Sequence, residues 1–121
     1  MSTWDEHEIH SAKSVAVHHK PLTINAIPLT YGGYQIAEPN GDIYFNSTGN
    51  PGLSKGGSGD CLAGMIASFA AQGYIEIACA VCGVYLHGLA ADRAAKELSE
   101  YGMLPTDIPN YLCRIFAEKG L

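Results

Sequence analysis

The feature that most constrains the fold is Ile77–Ala91, a run of 15 residues that is apolar on almost every side. It belongs to a longer helical pattern that begins at Glu76, becomes amphipathic over Asp92–Glu100 and stops at Gly102. A helix without a polar face is normally covered by other elements on both sides. The run is shorter than the roughly 18–20 residues needed to cross a bilayer. The sequence therefore predicts a helix buried between the layers of a domain.

Two more helices and a β-hairpin are predicted around this central helix. Asp60–Gln72 carries apolar residues at helical spacing along one face, and Gly73 ends the pattern. Ile108–Glu118 is the third predicted helix. Upstream, Asn40 and Gly41 separate two β-prone runs, which predicts a hairpin with a type I′ turn whose central residues both have positive φ. One hairpin is too little sheet to cover the central helix, so the pattern is typical of the C-terminal part of a larger α/β layered domain.

A glycine-rich loop, Asn50–Asp60, joins the hairpin to the first helix and reads Asn-Pro-Gly-Leu-Ser-Lys-Gly-Gly-Ser-Gly-Asp. The first amides of a helix have no intrahelical partner, and the helix dipole adds partial positive charge there. Glycines let such amides close around an anion without side chains in between. We predict that five residues of this loop bind a phosphate group: Lys55, Gly56, Gly57, Ser58 and Gly59.

Asp60 follows these residues directly, in the first turn of the predicted helix. A carboxylate beside a phosphate site is unfavourable unless it takes part in the chemistry. The role that fits is that of a general base, which accepts a proton from a hydroxyl group as its oxygen attacks a phosphoryl group. A simpler role, in which Asp60 only complements the helix dipole, does not require the neighbouring glycines. We therefore predict that Asp60 is catalytic.

Two common nucleotide-binding motifs are excluded. The Walker motif has Gly immediately before Lys, whereas Ser54 precedes Lys55 here. The dinucleotide-binding motif requires a glycine at the position that Leu62 occupies. The loop is therefore a different kind of phosphate site.

The overall charge and the cysteines limit the partners and the compartment. The formal net charge is −5, which is unlike that of a protein that binds nucleic acid or an anionic membrane surface. The acidic N-terminus does not resemble a secretory signal, so we predict a cytoplasmic protein with reduced cysteines. Cys79 and Cys82 have metal-site spacing but no second pair of ligands, and core packing is the better interpretation. His87 is predicted to be a packed, hydrogen-bonded core residue, and no metal site is predicted within the protein.

The segment Asn46–Gly64, with Thr-Gly-Asn-Pro-Gly ahead of Gly-Gly-Ser-Gly-Asp, closely resembles the characteristic motif of the ADP/ATP-dependent NAD(P)H-hydrate dehydratases. These enzymes belong to the ribokinase-like superfamily. Similarity continues through Val84–Asp92 and Thr106–Ile108. It covers about residues 35–121, which we interpret as the C-terminal portion of a ribokinase-like α/β domain, and leaves 1–34 as a poorly defined N-terminal segment.

The resemblance implies a lyase that repairs hydrated NADH or NADPH. A nucleotide, ADP or ATP with Mg²⁺ on its phosphates, would convert the ring hydroxyl into a phosphate that is then eliminated. By this similarity Gly59 contacts the nucleotide, Gly57–Gly59 form the anion site, and Asp60 and Asn50 lie at the substrate. Family members are more than twice as long as this chain, so apolar helix faces would be exposed and we expect a homo-oligomer. Two alternatives are a ribokinase-like small-molecule kinase and a non-catalytic nucleotide-binding or assembly fragment.

Overall fold

The computed structural model describes residues 23–26 and 34–120 of the 121-residue chain. Most of the predicted N-terminal segment, 1–34, lies outside the described residues. The elements in chain order are β1 (Thr23–Ala26), β2 (Tyr34–Ala37), β3 (Ile43–Phe45), α1 (Ser58–Ala71), α2 (Glu76–Gly102) and α3 (Ile108–Glu118). The prediction of a hairpin followed by a loop and three helices is confirmed. Within these described ranges, none of the helices has the length and apolar character needed to cross a membrane.

The three strands form one antiparallel sheet in the order β1-β2-β3. Ile36 in the middle strand pairs with Ile24 on one side and Tyr44 on the other. Ile36 is only 1% exposed because its side chain packs on α2, whereas Phe45 in the edge strand is 69% exposed. The sheet therefore covers one part of α2 and leaves its own edge strand largely uncovered.

The hairpin turn is not the predicted type I′ turn. Gly41 has a positive φ of 97°, but Asn40 is not among the residues with positive φ. The Gly41 amide donates to the Glu38 carbonyl over 3.0 Å, and the Glu38 amide donates to the Asp42 carbonyl over 2.9 Å. Pro39 is the physical reason. As the first residue of a turn centred on Asn40 and Gly41 it would have no amide to donate to the Asp42 carbonyl, whereas its fixed φ near −65° suits the first central position of a turn that starts at Glu38. The connection is a turn centred on Pro39 and Asn40, followed by a left-handed glycine, a common longer hairpin loop.

The central helix α2 is covered on both sides, as its apolar pattern predicts. On one side it packs against α1 and β2 around Ile77 and Val84, which are 0% and 1% exposed. On the other side it packs against α3 around Leu86 and Ile115, each 1% exposed. The close approach of α1 to α2 depends on the absence of a side chain at Gly83, because a Cβ atom there would lie 2.7 Å from Cγ1 of Ile66.

The predicted core packing of the two cysteines in α2 agrees with the structure. Cys79 and Cys82 are buried within the core of α2, and all four cysteines of the chain are free. The Cys79 thiol donates to the Tyr74 carbonyl over 3.4 Å. Burial raises the pKa of the Cys79 thiol, partly offset by its backbone hydrogen bond. Both residues are therefore packing residues of the core.

The helix α2 is interrupted near its end, at Ser99. This residue has φ of 68° and ψ of 163°, a conformation that favours glycine. The Ser99 hydroxyl accepts a hydrogen bond from the Gly102 amide over 3.1 Å, which holds the chain in this bend. Beyond it Tyr101 is 96% exposed and Met103 is 1% exposed. The break returns the chain to the core at Met103 and leaves the side chain of Tyr101 in solvent.

Candidate functional site

One face of α2 supports the entrance of the glycine-rich loop. The Thr48 hydroxyl donates to the Tyr85 carbonyl over 2.8 Å. One turn further along, Gly88 packs directly under Thr48, since a Cβ atom there would lie 2.2 Å from the Thr48 hydroxyl oxygen and 2.7 Å from its carbonyl carbon. The loop backbone thus rests on the surface of the helix with no side chain in between.

Asp92 continues this face one turn after Gly88 and binds the loop through both carboxylate oxygens. It accepts a hydrogen bond from the Gly49 amide over 3.1 Å and another from the side-chain amide of Asn50 over 3.0 Å. The other side-chain atom of Asn50, Oδ1, accepts from the Gly52 amide over 2.8 Å. Hydrogen bonds to a charged acceptor are stronger than neutral ones. Asn50 therefore holds the loop, and the substrate contact predicted for it stays a prediction.

Lys55, in the middle of the glycine-rich loop, attaches the loop to the C-terminal end of α2. Its ammonium group donates to the Glu100 carbonyl over 2.6 Å and to the Met103 carbonyl. Carbonyls at the C-terminal end of a helix lack intrahelical partners and carry partial negative charge, which a lysine side chain compensates. The structure therefore places the ammonium group of Lys55 beside the break in α2 at Ser99. The predicted contact of Lys55 with phosphate stays a prediction.

The start of α1 presents the predicted anion site. Gly57 precedes the helix with φ of 104°, a left-handed conformation that favours glycine. The Ser58 amide donates back to the Lys55 carbonyl over 3.2 Å, and the Cys61 amide donates to the Gly57 carbonyl over 3.0 Å. The backbone bonds around this turn leave the amides of Gly59 and Asp60 without a partner in the described part of the chain. Two amides and the dipole of a 14-residue helix are therefore available to an anion here.

Asp60 lies in the first turn of α1 and is exposed, as is Gly56 before the helix. Its carboxylate shares the turn with the free amides of Gly59 and Asp60. The structure thus brings together the predicted anion site and the predicted base, and holds both through contacts to α2. The assignment of binding and catalytic roles to these residues stays a prediction.

His87 differs from its prediction in one respect. The ring is packed as predicted, with 0% exposure, but neither nitrogen has a hydrogen-bonding partner in the described part of the chain. Burial lowers the pKa of His87 because it disfavours the charged ring, and the nearby backbone of Ser58 offsets this only in part. The predicted hydrogen bond is therefore not formed with ordinary geometry, although the Ser58 backbone interacts with the ring.

Sequence reasoning did not assign roles to Thr48, Gly88 and Asp92. The available signal is the spacing of Gly88 and Asp92, which are four residues apart and so lie on the same face of a helix. A small residue lets another backbone segment pack closely against the helix, and an acid one turn later can accept hydrogen bonds from the amides of that segment. The partner segment is more than 40 positions away, so the spacing identifies the face but not what lies on it.

Asp92→Asn is expected to destabilise the protein by about 2–3 kcal/mol, because one carboxylate oxygen becomes an amide group that faces a donor. The melting temperature should fall by several degrees, and thermal unfolding followed by circular dichroism measures this. Glu100→Gln removes an exposed acid near the end of the same helix and serves as the control. Equal melting temperatures for Asp92→Asn and the parent chain would contradict the assigned contacts.

The comparisons with known proteins agree on one family. Residues 10–114 match the family model described as NAD(P)H-hydrate dehydratase. A bifunctional NAD(P)H-hydrate repair enzyme Nnr of Moorella thermoacetica is 46% identical over 77 residues, 64% of this chain and 14% of that protein. An ADP-dependent (S)-NAD(P)H-hydrate dehydratase of Xanthomonas campestris is 42% identical over 61% of this chain and 26% of its own length.

Solved structures show the same relationship. The ADP/ATP-dependent NAD(P)H-hydrate dehydratase of Bacillus subtilis, co-crystallised with ATP and Mg²⁺, superposes with a TM-score of 0.70 and 32% identity over 80% of this chain and 34% of that chain. A ribokinase-like superfamily protein of Enterococcus faecalis gives a TM-score of 0.65 and 35% identity over 80% of this chain and 32% of that one.

The hairpin, the glycine-rich loop and the three helices thus form part of a ribokinase-like α/β domain. The chain belongs to the NAD(P)H-hydrate dehydratase family. It spans about a quarter or less of the two curated relatives named above and about a third of each solved chain.

Proposed function

We propose that the protein acts in the nucleotide-dependent dehydration of hydrated NADH or NADPH. The observation that carries the proposal is the turn at the start of α1, where the free amides of Gly59 and Asp60 stand beside an exposed carboxylate. Relatives named as ADP- or ATP-dependent dehydratases support the choice of substrate and nucleotide. We place the protein in the cytoplasm, where these dinucleotides are used.

In the proposed reaction Asp60 accepts the proton of the ring hydroxyl as the hydroxyl oxygen attacks the terminal phosphoryl group of ADP or ATP. The bond between that phosphorus and its bridging oxygen breaks, and the shortened nucleotide leaves. The phosphate on the ring then departs as inorganic phosphate, and loss of a proton from the neighbouring carbon restores the double bond. The free amides of Gly59 and Asp60 and the helix dipole stabilise the negative charge on the transferred group.

Mg²⁺ is proposed to arrive with the nucleotide, because this ion keeps several waters and binds through phosphate oxygens more readily than in an all-protein cage. When bound, it would neutralise charge on the phosphates. The described residues contain no group of three His, Cys, Asp or Glu side chains that could hold a metal. The phosphate oxygens of the nucleotide are ligands of the kind that Mg²⁺ prefers. Phosphate oxygens that do not bind the ion would accept hydrogen bonds from the loop amides.

A second candidate is a nucleotide-binding fragment that does not catalyse the reaction by itself. It is favoured by the exposed apolar side chains of Phe45 and Tyr101. Such surfaces favour association with another polypeptide, and we propose a homo-oligomer for either candidate.

The test is recovery of absorbance at 340 nm when the full chain is incubated with hydrated NADH, Mg²⁺ and either ADP or ATP. We expect recovery that depends on the nucleotide, with release of one phosphate for each reduced ring restored. A mixture without nucleotide is the control. Phosphorylated product without recovery would favour a small-molecule kinase. Binding of ATP in calorimetry without any reaction would favour the non-catalytic fragment.

A further inference from the structure

Lys55 is the residue for which the sequence predicts a phosphate contact, and the structure surrounds its ammonium group with carbonyl groups. The ammonium group donates over 2.6 Å to the Glu100 carbonyl, over 3.4 Å to the Tyr101 carbonyl and also to the Met103 carbonyl. An ammonium group has three donors and no acceptor. The three carbonyls therefore use all the donors of Lys55, and a phosphate could bind this group only in exchange for them.

These carbonyls converge because α2 breaks at Ser99, where φ is 68°. In a continuous helix the Glu100 and Tyr101 carbonyls would accept hydrogen bonds from the amides four positions further on. The Leu104 amide donates instead to a carboxylate side chain over 2.8 Å, and the next residue is a proline, which has no amide. Lys55 supplies donors in place of these amides, and its charge complements the negative end of the helix dipole.

Two glycines of the loop pack against the segment that follows the break. A Cβ atom on Gly52 would lie 2.6 Å from Sδ of Met103. A Cβ atom on Gly57, the residue before α1, would lie 3.5 Å from the side chain of Pro105. Lys55 lies between these two glycines in the sequence. Its hydrogen bonds therefore belong to a continuous contact between the loop and the end of α2.

The loop thus has two attachments to α2 that act on different parts of it. Asp92 binds the entrance, at Gly49 and Asn50. Lys55 binds the part that continues into α1, where the Ser58 amide donates to the Lys55 carbonyl over 3.2 Å. The backbone of Lys55 is therefore joined directly to the first residue of the helix, and a displacement of Lys55 moves the turn that presents the anion site.

We propose that Lys55 is a positioning residue, which fixes the turn at the start of α1 through its contacts with the end of α2 and does not itself bind the phosphate. The anion is then held by backbone amides and the helix dipole. The conformation of Ser99 fits this role, because a strained backbone persists only where the surrounding structure requires it, and such residues cluster at functional sites. The role of Lys55 in binding rests on the proposed function, whereas its hold on the turn does not.

The first experiment measures amide hydrogen exchange in the free full chain by nuclear magnetic resonance. Lys55→Met keeps the length of the side chain and removes the ammonium group. We expect the Ser54 and Ser58 amides to exchange about tenfold faster in this variant, and the Gly49 amide, which Asp92 binds, to stay within about twofold of the parent. Such a local pattern does not arise from a general loss of stability, which accelerates all three amides alike.

The control is Lys96→Met, which removes the same charge from an exposed position of α2 and should change none of these rates. Two results overturn the proposal. Unchanged exchange at Ser58 in Lys55→Met would show that Lys55 does not hold the turn. Equal acceleration at Gly49 and Ser58 would show that its contribution is to overall stability alone.

The second experiment measures the affinity for ATP by calorimetry, at a temperature at which each variant is folded. Lys55→Met should weaken binding about tenfold, which corresponds to about 1.4 kcal/mol. Lys55→Arg tests whether a positive charge is sufficient. Its guanidinium group binds phosphate at least as well as an ammonium group, but its planar set of donors does not suit three converging carbonyls. We expect affinity to fall in each variant in which exchange at Ser58 is fast.

Parental affinity in Lys55→Arg together with fast exchange at Ser58 would show that the charge acts directly on the phosphate, and it overturns the proposal. If the parent chain does not bind ATP, the proposed nucleotide function fails. The exchange experiment uses no nucleotide, so it still decides whether Lys55 holds the turn.

Discussion

Asp60→Asn is expected to lower the rate of NADH recovery by about 10²–10⁴-fold, the range over which a general base contributes to catalysis. Asparagine has nearly the same shape but cannot accept the proton of the ring hydroxyl. Because Asp60 is exposed and lies at the surface of the first turn of α1, the substitution should leave the fold intact. The measurement is the 340 nm assay at saturating nucleotide, with nucleotide affinity determined in parallel.

The control for this prediction is Glu76→Gln. Glu76 is an exposed acid in the first turn of α2, as Asp60 is in the first turn of α1. Both substitutions remove a charge that complements a helix dipole, an effect of about 0.3–1 kcal/mol on stability. Only Asp60→Asn should also reduce the rate. If the two variants lose stability alike and neither loses activity, Asp60 is a dipole partner and not a base.

Gly88→Ala is expected to destabilise the fold by about 3 kcal/mol, at the upper end of the usual cost of adding a group to a packed interior. The new Cβ atom would lie 2.2 Å from the hydroxyl oxygen and 2.8 Å from the carbonyl oxygen of Thr48. The carbonyl carbon of Thr48 would lie 2.7 Å away, and it and the carbonyl oxygen are backbone atoms, which cannot move aside as a flexible side chain could. The loop must therefore lift off the helix, which also removes the hydrogen bond between Thr48 and the Tyr85 carbonyl. Urea unfolding measures the change in stability.

Gly64→Ala is the matched control, because it is the same substitution within α1 at a position where a Cβ atom meets nothing within 4 Å. It is expected to stabilise the protein by about 0.5–1 kcal/mol, the ordinary gain of replacing glycine in a helix by alanine. The two variants should therefore shift the unfolding midpoint in opposite directions. A Gly88→Ala variant as stable as the parent would show that the loop does not rest on α2 as described.

The sequence predicts the elements of this fold well because their signals are local. The periodicity of Asp60–Gln72, the apolar run Ile77–Ala91 and the glycines of the loop each reflect neighbouring residues, and the structure has these elements within a few positions. The predicted turn type is wrong because Pro39 would be the first residue of a turn centred on Asn40 and Gly41, and it has no amide to donate to the Asp42 carbonyl. This signal is also local and lies in the sequence next to the Asn-Gly pair.

The contacts of the loop were less predictable because their partners are distant in the chain. A lysine before glycines is expected to bind phosphate, yet Lys55 contacts carbonyls at the end of α2. An asparagine in the same loop is bound by Asp92. His87 is predicted to be packed from its apolar neighbours, but whether its nitrogens find partners depends on the path of α1 above it. Local patterns therefore locate the site, and tertiary structure assigns the roles within it.

The attachment of the loop to α2 has a consequence for how the protein folds. The hydrogen bonds from Thr48, Gly49 and Lys55 to this helix span 37, 43 and 45 positions of the chain. Closing such long segments is entropically unfavourable until the helices have docked, so contacts of this kind generally form late. The loop should gain its shape only after α2 has met its neighbours. A nascent chain that ends before Asp92 would then carry the whole motif without its phosphate-binding conformation.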